Sequence, residues 1–221
     1  MPGLPEHLHS LFREGDGDVS LVVHDEHGTE VLAQRQAHSC LLQRAEYFKC
    51  LFQSGFKEGR EKVADIAISR SEFRPFRAIL HYLYTDSIGS CDEWSLEEFF
   101  DALRLIGRFG CVGAGDLFVE NMKNTINPKN AVDALEFLIE NSIDMTRLSE
   151  SSIVEAICKC TVPQNIVAIL SLLLDDRLLQ FRARFGGLFA KVRQLILIEE
   201  GLPQLEFQLT MTHLVELVSA G

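Results

Sequence analysis

The chain has 221 residues, 47% of them apolar and 24% charged, an ordinary globular balance with length enough to bury one large core or two small ones. Its net charge of −11 at pH 7 repels phosphate backbones and so argues against direct nucleic-acid binding. The opening stretch MPGLPEHLHSLFREGDGDV lacks a basic start and an apolar run, which reads as no signal peptide, and the longest apolar run, Ile166 to Leu174, is about half of a membrane span.

Leu4, Leu8, Leu11 and Phe12 recur at helical spacing and predict a short amphipathic helix over Pro5 to Arg13, ended by Gly15 and Gly17. DVSLVVH, rich in branched residues and bounded by turns, predicts a strand. The turn DEHG, where Gly28 can take positive φ, leads to a second strand at TEVLAQ and so to a hairpin. From Ala37 to Gln53 the apolar residues group as two short helices, Leu41 and Leu42 and then Tyr47, Phe48, Leu51 and Phe52. Ala64, Ile66 and Ile68 alternate, the mark of a third strand with one buried face.

Ser71 is a candidate N-cap for a helix carrying Phe73, Phe76, Ile79, Leu80 and Leu83, closed by YTDS. Ser95 caps the next, with Leu96, Phe99, Phe100, Leu103 and Ile106. The glycine-rich stretch from Gly107 to Gly115 reads as a helix–helix connection. Beyond it the pattern is helical throughout. Val132, Leu135, Leu138 and Ile139 mark one helix, Ile153, Val154 and Ile157 another, and Pro163 and Pro203 punctuate later ones. Strands mixed with helices followed by helices alone predict an α+β unit with an all-α extension, the break falling near INPKN, Ile126 to Asn130. No internal repeat stands out.

Catalytic and metal motifs fail on inspection. GDGDV starts like a calcium loop, but Leu21 sits where that loop needs glycine and Ser20 where it needs an acid. The glycines at 107, 110, 113 and 115 do not make a dinucleotide fingerprint, since position 118 is Phe and the stretch follows a helix. Cys158 and Cys160 lack a second ligand pair and face apart on a helix, as do His7 and His9. No G-x-S-x-G or H-E-x-x-H is present. The expectation is a non-enzyme with no cofactor and no metal. The six cysteines, Cys40, Cys50, Cys91, Cys111, Cys158 and Cys160, form no paired framework and predict reduced, buried thiols in a cytoplasmic or nuclear protein.

GDVSLVV, AEYFKCLFQSGFKE, VADIAI and FRAILHYLYTDSI stand in this order at fitting distances. Together they resemble a BTB/POZ domain over roughly Leu4 to Met122, the Y-F-x-x-L-F element with its following loop and the L-H-Y-L-Y-T-D element being specific as a set. The remaining helices resemble the BACK extension that often follows such domains. The resemblance implies a BTB/POZ fold over 4–125, a small mixed sheet flanked by a helical cluster, and a BACK-like helical region over 126–221. The layout is also similar to the BTB regions of ankyrin- or MATH-containing adaptors, although this sequence carries neither partner domain.

Two departures from the family pattern stand out. Where a His followed by Lys or Arg is usual after the second strand, this chain has Ala37-His38, and Ala45 stands where a Ser usually precedes Tyr-Phe. Asp18, which matches the family's Asp before the first strand, is therefore expected to face His38 as a pH-sensitive pair near a subunit interface. The alternative is that His38 is a solvated helix residue.

Many MATH- and Kelch-type adaptors bind cullin three through a hydrophobic-x-Glu motif in the loop after Y-F-x-x-L-F, and Phe56-Lys57-Glu58 fits it in place and order. The resemblance implies a cullin-binding set of Phe56, Lys57, Glu58 and Tyr84. The alternative is that Phe56 caps the domain's own core beside Phe48 and Phe52. The resemblance also implies a homodimer, with Leu8, Leu11, Phe12, Asp18 and His38 at the subunit contact. Two functions follow: a substrate adaptor for a cullin three ubiquitin ligase, or a self-associating scaffold or regulator without a ligase. The substrate is a protein that the sequence does not name, and neither nucleic acid nor membrane is an expected partner.

Overall fold

The structure, a computed structural model, describes residues 16–53, 55, 57–141, 147–162, 164–173, 187–188, 190 and 192. The helix expected over Pro5 to Arg13 and the breaks expected at Pro163 and Pro203 lie outside the described residues. The chain divides into two compact units, 1–122 and 123–221.

In the first unit, strand β1 (Val19–His24) pairs antiparallel with β2 (Glu30–Ala37) and parallel with β3 (Val63–Ala67), giving a mixed sheet in the order β2-β1-β3. The hairpin turn is organised by Asp25, whose buried carboxylate accepts the N–H groups of His27 (3.0 Å) and Thr29 (2.8 Å) and is met by the Arg70 guanidinium at 3.1 Å. Gly28 takes φ +75°, as a turn there requires. Central β1 buries Val19, Leu21 and Val23, and β3 alternates as its sequence does, with Ala64 and Ile66 inward and Asp65 outward.

A parallel pair needs a long crossover. Here the chain returns through β2 and three short helices, α1 (Ser39–Leu42), α2 (Glu46–Gln53) and α3 (Lys57–Glu61). Three longer helices follow: α4 (Phe73–Thr85), α5 (Leu96–Phe109) and α6 (Val112–Thr125). Helix α4 is not capped by Ser71. The chain first turns at residues 70–72, so the serine that closes on the glutamate three residues later is Ser69. Its N–H donates to Glu72 Oε2 (2.7 Å), while the Glu72 N–H donates to Ser69 Oγ (3.4 Å). Ser95 does cap α5, its Oγ accepting the Glu98 N–H while Glu98 Oε2 accepts the Ser95 N–H.

The glycine-rich connection is shorter than its composition suggests. Helix α5 runs through Gly107 and α6 starts before Gly113, leaving Gly110 and Cys111 as the link. Gly113 lies inside α6 and leaves room for Tyr82, since a Cβ there would sit 2.5 Å from the Tyr82 hydroxyl oxygen. Of the cysteines, Cys91 and Cys111 are buried, and burial lifts each thiol to about 11. Cys40 and Cys50 are exposed, against the expectation of burial, because each falls on the outer face of its helix.

The second unit holds α7 (Ala131–Asn141), α8 (Arg147–Cys160) and α9 (Ile166–Leu173). Their inward faces carry Ala134, Leu135 and Leu138, then Ile153 and Ile157, then Ile166, Ile169 and Leu173. The buried side chain of Asn165 ties three segments together, donating to the carbonyls of Pro128 (2.9 Å) and Cys160 (3.0 Å) and accepting the Val162 N–H (2.9 Å).

Gly110 packs the end of α5 against the start of α2. It sits at φ +68°, and a Cβ would meet Glu46 Cβ at 2.8 Å. Gly110→Ala therefore combines left-handed strain with overpacking and is expected to cost about 1–3 kcal/mol, read as a lower urea midpoint with an unchanged slope.

Candidate functional site

Helix α2 is amphipathic in a way that decides what it presents. Phe48 is buried, its ring lying parallel (3°) to that of Phe109 at 5.6 Å. Tyr47 meets Phe109 edge-on at 5.2 Å, and Phe76 approaches the same ring at 5.4 Å. With that face held, Glu46, Lys49, Cys50 and Gln53 are left exposed. Lys49 and Glu46 pair at 3.1 Å across one turn.

The chain then turns at Gly55 (φ +49°) into α3, which buries no side chain at all. Lys57 pairs with Glu61 at 3.8 Å. Glu58 is exposed, and its carboxylate makes no ion pair or hydrogen bond with any described residue. Lys57 and Glu58 thus stand together on the surface. Phe56 lies outside the described residues.

Tyr84 does not join them. It is 3% exposed, and its hydroxyl oxygen accepts the His38 N–H at 2.9 Å. It lies four residues after Leu80 on the inward face of α4, so it holds the start of α1 and offers no surface to a partner.

A second polar cluster sits where β1, α1 and β3 begin. Asp18 accepts the Ser39 N–H (2.8 Å) and the Ser39 hydroxyl (2.8 Å), and the Lys62 ammonium stands at 3.3 Å. The expected pairing of Asp18 with His38 is not formed. The Ser39 N–H opens α1 and has no partner within it, so the carboxylate takes that donor. His38 turns the other way, with Nε2 3.3 Å from Asp16 Oδ1. Hydrogen bonding, first from the Ser39 backbone, holds the Asp18 carboxyl down at about 2.

Ser39 and Lys62 were not among the residues singled out from the sequence. Lys62 is a non-glycine residue at φ +54°, kept there by its carbonyl, which accepts the Ser20 N–H at 2.9 Å, and by its reach to Asp18. No sequence pattern announces such a position. Leu8, Leu11 and Phe12 lie outside the described residues. Among the described residues, no group of three or more His, Cys, Asp and Glu side chains is placed to hold a metal ion, and no helix is long and apolar enough to cross a membrane.

The depressed Asp18 carboxyl has a pH consequence. Its pKa is lower folded than unfolded, so the stability it confers is complete above about pH 5 and fades as pH falls toward 2. Denaturant titrations at pH 6, 4 and 2.5 should show wild type falling more steeply across that window than Asp18→Asn, with the two curves parallel above about pH 5.

A family model for the BTB/POZ domain matches residues 8–125. No curated protein matches the chain.

Proposed function

The chain belongs to the BTB/POZ family, whose domains are protein-interaction modules that self-associate and bind partners such as cullins, and from that premise we propose a non-catalytic adaptor that docks cullin three through the α2–α3 surface. The observation that carries this reading is Glu58, an exposed carboxylate without a partner among the described residues, on a helix that buries nothing. It directly follows Phe56-Lys57 in the hydrophobic-x-Glu order.

The division of labour is physical. An aromatic side chain inserted into a partner's pocket supplies most of the affinity in such contacts. A carboxylate at the edge adds orientation and selects against wrong partners. The α2 face beside it is rigidly backed by the Phe48–Phe109 stack, so docking needs little ordering of the surface.

In the same proposal the protein acts as a homodimer, with the apolar stripe of Leu8, Leu11 and Phe12 and the corner carrying Asp18 and His38 at the subunit contact. The helices of the BACK-like second unit extend the cullin contact or hold a protein substrate destined for ubiquitination, in the cytoplasm or nucleus.

Calorimetric titration with the N-terminal domain of cullin three tests this directly. Wild type should bind in the micromolar range or tighter. Phe56→Ala, folded as judged by an unchanged unfolding midpoint, should weaken binding about thirty- to a thousandfold. No heat from wild type at any reachable concentration would sink the ligase reading in favour of a self-associating scaffold.

A further inference from the structure

Helix α3 buries no side chain, so something other than a hydrophobic face must seat it. The contact is made by backbone. A Cβ at Gly59 would lie 2.8 Å from the carbonyl oxygen of Leu51, 3.2 Å from that of Phe52 and 3.4 Å from the Phe52 carbonyl carbon. These atoms belong to the last turn of α2 and cannot rotate aside as a side chain would. The glycine is not there for a left-handed turn, since its neighbours in α3 continue the helix on both sides. Gly107, by contrast, is exposed within α5 with nothing within 4 Å of its Cβ position.

We infer that Gly59 is a positioning residue for the docking surface, and this rests on the α2–α3 docking reading above. Its missing side chain lets α3 close on the end of α2, and that approach fixes where the neighbouring Glu58 carboxylate stands relative to the exposed face of Lys49, Cys50 and Gln53. A methyl group at 59 meets rigid backbone and lifts α3 by several tenths of an ångström. Because no buried side chain opposes the movement, it displaces Glu58 rather than unfolding the domain. Gly59 touches no partner in this account and acts through Glu58.

The test is a double-mutant cycle in the full chain, with the N-terminal domain of cullin three as the probe. Gly59→Ala should weaken binding about five- to thirtyfold in the wild-type background and less than about twofold in Glu58→Ala. Gly107→Ala should leave affinity unchanged. Equal losses in the two backgrounds, or no loss in either, overturn the inference while the docking reading stands. A silent wild type overturns the docking reading and the inference with it.

Discussion

The first unit turns on one contact, the parallel stack of Phe48 on Phe109 at 5.6 Å, with Tyr47 and Phe76 set around the same ring. It joins the short second helix of the crossover to the C-terminal end of α5, where Gly110 then reverses the chain. Each aromatic pair contributes about 0.5–1.5 kcal/mol beyond the area it buries, whereas surface pairs such as Lys49–Glu46 and Lys57–Glu61 contribute about 0–1 kcal/mol. The rings therefore fix the position of α2, and the charges decorate a face whose location is already set. That ordering makes the outer face of α2 a rigid platform.

The corner at Asp18 works by different means. Three donors converge on one carboxylate: the Ser39 N–H, the Ser39 hydroxyl and the Lys62 ammonium. Two of them are neutral, so the carboxylate is held in its charged form chiefly by hydrogen bonds. This separates the charge that fixes the start of β1 and α1 from the His38 ring, which faces Asp16, while both the backbone N–H and the Nδ1 of His38 meet the Tyr84 hydroxyl.

Local patterns made much of this legible. Alternation located β3, the two apolar groups between Ala37 and Gln53 became α1 and α2, and Ser95 announced itself as the cap of α5. Tyr84 could have been read as well, because it follows Phe76 by eight residues and Leu80 by four and so shares their buried stripe. Other features were out of reach because they are set by residues distant in the chain. Ser39 meets Asp18 across 21 positions, and Lys62 meets it across 44. Ser71 does not cap α4 because the chain first winds an extra turn, closed by Ser69 with Glu72, which leaves Glu72 at the N-cap position. The glycines from 107 to 115 share a composition but not a role: Gly110 reverses the chain, Gly113 makes room for Tyr82, and Gly107 faces open space.

The same holds at the proposed docking surface. Phe56 and Glu58 attract attention because side chains carry recognisable chemistry, yet a side chain can act only from where its backbone puts it. Helix α3 has five residues and no buried face, too little to hold itself by hydrophobic contact. A short element of this kind is placed by its closest backbone approach, which is the contact between Gly59 and the end of α2. In the proposed docking, affinity and direction reside in the motif, while the frame that aims them resides in a residue whose contribution is the absence of a side chain.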